Sequence, residues 1–165
     1  MFKGKKMVRT LSLSAIAAAV CLVGSATVLA EGGPHDKAIK ARQSMFQLYS
    51  FSIGILGDMA KGKIDYDPAL ASEMAANLDA AANLGQSAFW PPGSDNGNAE
   101  NARTRALPVI WETFPAIVEK ADGLKAATAV LAASAGDGLE ALQGSIGDVG
   151  QACKACHDDY RAEKK

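Results

Sequence analysis

LEALQGSIGDVGQACKACHDDY, residues Leu139 to Tyr160, is the stretch on which the reading of this chain turns. Leu139, Leu142, Ile146, Val149, Cys153, Cys156 and Tyr160 follow one another at steps of three and four. That spacing lays them along one stripe of an α-helix. Gly136-Asp137-Gly138 punctuates the chain just before it, so the helix begins near Leu139.

Moving toward the N-terminus, a third helix is expected from about Glu100 or Pro108 to about Ser134. Leu107, Trp111, Phe114, Val118, Ala121, Leu124, Thr128 and Leu131 form its inward face. Pro115 is expected to kink it, because proline removes an intrahelical hydrogen bond and crowds the preceding turn. The run from Pro91 to Asn98 holds too many helix breakers for anything but a surface loop. A second helix starts at Asp67-Pro68, an acidic N-cap before a proline at the first helical position, and shows Leu70, Met74, Leu78 and Ala81 inward. In the first helix the stripe is Ile39, Arg42, Phe46, Tyr49, Ile53, Leu56 and Ala60, closed by Lys61-Gly62-Lys63. Met59 and Met74 are expected to fill core gaps. With no sustained strand alternation and no internal repeat, the class is all-α, an antiparallel four-helix bundle. The same periodicity also suits bundles that bind nothing.

Residues 1–30 read as an export signal. Lys3, Lys5, Lys6 and Arg9 precede an apolar run from Leu11 to Leu29 that ends in Val28-Leu29-Ala30, with cleavage expected after Ala30. A retained anchor is the alternative, although Ser12, Ser14, Gly24, Ser25 and Thr27 break the run. Cys21 belongs to this segment. Removing four of seventeen basic residues leaves thirteen against eighteen acidic ones and moves the formal charge from −1 to −5. Residues 31–165 fit one mildly acidic domain, with no basic stripe of the kind nucleic acid requires. His35, near the new N-terminus, is expected to be exposed.

Two cysteines remain, and Cys153-Lys154-Ala155-Cys156-His157 is the C-x-x-C-H arrangement of c-type haem attachment. Two thiols one helical turn apart can add to the two vinyl groups of one haem. The adjacent His157 then reaches the iron as proximal ligand through Nε2. One motif implies one haem c, with its iron, per chain. A thioredoxin-like redox pair is the competing reading, but that pair opens a helix after a strand, whereas this one sits near the end of the last helix. A zinc site would need further ligands, and His35 is the only other histidine. No Ser-His-Asp set or carboxylate pair suggests an enzyme.

Gly147-Asp148-Val149-Gly150 followed by Cys153 to Arg161 resembles the haem-binding end of the class II cytochromes c, and within them the cytochrome c-prime family. The resemblance extends to Arg42-Gln43-Ser44, Lys61-Gly62, Tyr66-Asp67 and Pro108-Val109-Ile110-Trp111, and so spans the chain after residue 30. It implies a left-handed bundle, a homodimer through the first two helices, and a periplasmic location. It also implies five-coordinate, high-spin iron that binds nitric oxide or carbon monoxide. The distal residue maps four positions after Arg42, onto Phe46, which cannot ligate iron. Low-spin relatives use a methionine in this helix as sixth ligand, and Met45 is the candidate for that alternative, an electron carrier with an unknown redox partner. The pocket is expected to include Arg42, Gln43, Phe46, Tyr49, Trp90 and Arg161, with Phe89 and Trp111 near the haem edge. Arg42 would pair with a propionate or snorkel from the bundle mouth, and Arg161 would border the proximal side or be a solvated cation.

Overall fold

Asp67 caps a helix as its type and position demand, its carboxylate accepting from Ala69 N at 2.8 Å and Leu70 N at 3.1 Å with Pro68 in the first turn. The computed structural model describes residues 32–164; the export-signal reading of residues 1–30 lies outside them. The long helices are α1 (Asp36–Ala60), α2 (Pro68–Ala82), α4 (Phe114–Ser134) and α5 (Leu139–Tyr160), with a short α3 (Val109–Glu112) before α4. Each long helix packs on two others: α1 on α2, α2 on α4, α4 on α5 and α5 on α1. This closed ring is the four-helix bundle. At the end of α1, Gly62 takes φ 68° and its N–H bonds Met59 O at 3.0 Å, a left-handed cap that glycine adopts at no steric cost.

The core runs along the axis through Leu56, Met59, Ala71, Ala75, Leu78, Leu131, Leu142 and Val149, all buried. Met59 and Met74 fill it as expected. The alanines of α2 let the helices approach, and larger side chains from α1, α4 and α5 interdigitate with them. Among the described residues no helix is long and apolar enough to cross a membrane.

Three expectations about the helices need correction. Pro115 kinks nothing: the chain breaks at Thr113 (φ −119°, ψ 34°), and Pro115 lies in the first turn of a fresh helix, where a missing N–H costs no bond. Phe114 and Val118 are exposed rather than inward. The stripe from Phe114 to Leu131 steps every ~3.4 residues where a helix turns every 3.6, so its far end is rotated by about 100°. In α1 the buried set is Ile39, Arg42, Met45, Tyr49, Ser52, Leu56 and Met59. Phe46 therefore sits at the margin of the buried face, 37% exposed, while Met45 is buried at 3%.

The chain between α2 and α3 is not a free loop. Beyond Tyr160 the backbone turns extended (Arg161 φ −121°, ψ 122°) and pairs antiparallel with residues 105–107. Leu107 N bonds Tyr160 O at 3.1 Å and Ala162 N bonds Arg105 O at 2.8 Å. At the other end Asp36, in the first turn of α1, accepts from Ala102 N. His35 is half-buried, its ring against Gly93, rather than exposed.

Candidate haem site

Cys153, Cys156 and His157 occupy the last two turns of α5, each half-buried, and both cysteines are free thiols. Spacing of three places the sulfurs one turn apart on one side of the helix. Cys153 packs against the core cluster. Burial pushes both thiols up, with Arg161 opposing at Cys153 and Lys120 of α4 opposing most at Cys156, so each remains an S–H at neutral pH. Burial pushes His157 down, and Arg161 and Arg105 push it further, which keeps the imidazole neutral. Arg161 Nη1 lies 3.3 Å from His157 Nε2. A guanidinium can only donate, so this contact suits the tautomer with the ring lone pair on Nε2 and the proton on Nδ1. That is the lone pair an iron would take.

Across from α5, Tyr49 lies close enough to Cys153 for the thiol's charge to raise its pKa. Burial is the larger cause, a hydrogen bond from Gln86 opposes it, and the phenol is pushed up to about 12. Tyr49 OH donates to Ala81 O at 3.2 Å. From Tyr49 an aromatic row leads to the surface: Phe46 meets Tyr49 edge-on at 5.5 Å and Trp90 at 6.3 Å, and Trp90 lies 6.4 Å from Trp111. Trp111 Nε1 donates to Trp90 O at 3.2 Å, and Trp90 Nε1 to Gln86 Oε1 at 3.4 Å. The indoles are thus held by their polar handles, and Phe46 is left presenting an apolar face.

Arg42 departs most from expectation. It is 2% exposed and does not snorkel from the bundle mouth. Nη1 donates to Ser94 Oγ at 2.8 Å and Phe89 O at 3.3 Å, while Nη2 donates to Ser94 O and to Thr104 Oγ1 at 2.9 Å. Its guanidinium carbon lies 4.6 Å from the Trp90 ring centroid. Burial brings its pKa down to about 10, with Asp95 opposing, so it stays charged at neutral pH. A charge on an otherwise apolar stripe must find several acceptors, and only the loop offers them. Gln43 follows it outward, exposed, donating to Arg103 O at 2.7 Å. Ser94, Thr104 and Arg105 escaped the sequence reading because loop partners have no period; the one available signal was Arg42 itself, charged at a buried register.

The donor set suits a covalently held haem: two protonated thiols a turn apart, a neutral imidazole with its lone pair on the outer nitrogen, and an open phenylalanine face backed by Tyr49 and Trp90. The structure brings Cys153 near Tyr49, and joins Phe46, Tyr49 and Trp90. It sets Arg161 beside His157 and turns Arg42 and Gln43 toward the loop. Met45 stands apart, packed in the core.

Residues 37–161 match the family described as Cytochrome C'. The chain is 35% identical over 149 residues to cytochrome c-554 of Cereibacter sphaeroides, covering 90% of this chain and 96% of that one. Its backbone is similar to a Rhodobacter cytochrome c' with a TM-score of 0.75 at 32% identity, over 79% of this chain and 98% of the other. It is also similar to the nitric oxide complex of a mutant cytochrome c prime from Alcaligenes xylosoxidans, with a TM-score of 0.67 at 32% identity, over 78% and 95%.

Proposed function

The chain belongs to the cytochrome c' family, whose members carry one covalent haem c with its iron, and on that premise we propose a periplasmic gas-binding protein with five-coordinate iron. The bound haem supplies one-electron redox chemistry and a coordination site for small uncharged gases. Cys153 and Cys156 would hold it covalently to α5, and His157 Nε2 would supply a nitrogen ligand to its iron. Phe46 carries the reading: the family resemblance maps the distal position onto it, it has no lone pair to give, and it presents an apolar face beside Tyr49 and Trp90. That face excludes water and charged ligands better than it excludes nitric oxide or carbon monoxide. Similarity to a protein solved as a nitric oxide complex supports the choice of gas. In this reading the protein binds and carries rather than turns substrate over.

Met45 is buried in the side-chain packing of the core and stands one position, about 100° around α1, from Phe46, to which the resemblance assigns the distal place. The haem-loaded protein is therefore expected to give a high-spin spectrum that shifts under carbon monoxide in the reduced state, and Met45→Ala is expected to leave the spin state alone. A low-spin, gas-insensitive spectrum that Met45→Ala converts to high spin would replace this reading with a six-coordinate electron carrier.

Export rests on the basic-then-apolar leader of residues 1–30. Self-association through α1 and α2 is supported by Leu48 and Phe51, which stand three residues apart on α1 at 57% and 63% exposure. Large apolar side chains so exposed on one helix face suit a two-fold interface. Phe51→Glu should weaken the dimer at least ~30-fold, the loss of one about 2 kcal/mol anchor, measured by sedimentation equilibrium. An unchanged association constant would place the interface elsewhere.

A further inference from the structure

Arg103, Arg105, Arg161 and Lys164 gather where the loop meets the C-terminal tail beside His157, whereas Lys37, Lys40 and Lys61, likewise outside any ion pair among the described residues, stand at the two ends of α1. Among the described residues four ion pairs form: Lys63 with Asp58, Lys120 with Asp159, Lys125 with Asp122 and Lys154 with Asp158. None uses Arg103, Arg105, Arg161 or Lys164. Three of these four line one open cavity of about 440 Å³ between the loop and the C-terminal tail, where Glu163 is the single carboxylate. The fourth, Arg161, is in the same tail and touches His157. The cavity is held by backbone: Arg105 Nε donates to Ala162 O at 2.6 Å, and Gln43 bonds Arg103 O. Arg103 and Lys164 have exposed side chains that support nothing in the fold.

A chain with an acidic excess that keeps four unpaired cations beside its axial histidine has a local field opposite to its net charge. We propose that this basic rim is the docking face for a one-electron redox protein that presents carboxylates. The inference rests on the haem reading above. In the exchange one electron passes between the haem iron and the partner's redox centre; the iron goes from ferric to ferrous as the partner is oxidised, and no atom moves. Charge complementarity identifies the partner: the rim carries four cations against Glu163, while Asp158 and Asp159 close by are already paired.

The test is a sign. The acidic excess, −5 once residues 1–30 are removed, repels an anionic reagent, and salt would relieve that repulsion; a rim within one Debye length, about 10 Å at 0.1 M, attracts it, and salt weakens the attraction. Oxidation of the reduced, haem-loaded protein by hexacyanoferrate(III) is expected to slow about ten-fold between 10 mM and 0.3 M ionic strength. R103E/K164E is expected to remove most of that slope, and the tris(phenanthroline)cobalt(III) cation to show the opposite trend. Separately, calorimetry should detect poly-L-glutamate binding to the wild type but not to the variant, whereas monomeric glutamate at equal ionic strength should not bind. A rate that rises with salt, a variant with the wild-type slope, or equal binding of monomer and polymer overturns the proposal while the covalent haem spectrum stands. Absence of covalent haem overturns both readings.

Discussion

Replacing Arg42 with leucine is expected to cost at least about 4 kcal/mol of folding stability, read from the denaturation midpoint at constant slope. The substitution strands Ser94 O, Ser94 Oγ, Thr104 Oγ1 and Phe89 O in a place where water reaches poorly, since Arg42 and Ser94 are both buried. Hydrogen bonds to a charged group are worth roughly 1.5–3 kcal/mol each, and the stack on Trp90 adds about 1. Relief of the arginine's own desolvation returns part of that sum. Arg42→Lys should rescue little, because a point-like ammonium cannot reproduce a fork that serves Phe89, Ser94 and Thr104 at once. Gln43→Ala, one residue along and exposed, should cost under ~1 kcal/mol, having one exposed bond to lose. Equal losses at both positions would mean that the loop is not held as described.

Cys153→Ser with Cys156→Ser is expected to abolish covalent haem altogether, so that acidified acetone extracts all colour from the purified chain. Serine matches the shape of cysteine, but its hydroxyl does not add to a vinyl group, so the change removes the bond-forming sulfur and little packing. Either single variant should retain a haem held by one thioether, distinguishable by the reduced band position. His157→Ala should instead keep the haem attached and lose the axial nitrogen. Colour that survives extraction in the double variant would mean that the attachment lies elsewhere in the chain.

Where local physics acts within a few residues, the fold was legible. Asp67-Pro68 writes a helix start because cap and first turn are adjacent in sequence, and the C-x-x-C-H spacing writes its chemistry for the same reason. Met45 and Phe46 show the limit. A seven-position stripe locates a helix face to within about one residue, or 100°, which is the difference between a buried side chain and an open one. Thr113 ends α3 through backbone angles that no pattern announces. Arg42 needed acceptors, and its register said so, but which atoms would serve depended on Ser94 and Thr104, fifty-two and sixty-two positions away.

The extended tail after α5 is only a few residues long, yet Ala162 and Tyr160 grip Arg105 and Leu107 while Arg42 grips the same loop at Ser94 and Thr104. The loop is in effect a strap buckled at one end to the first helix and at the other to the last. Both buckles join residues more than fifty positions apart, so each must wait until nearly the whole polypeptide is in place. The segment that carries the cysteines is also the segment that fastens the strap: the order of events at the C-terminus sets whether a haem meets an open bundle or a closed one.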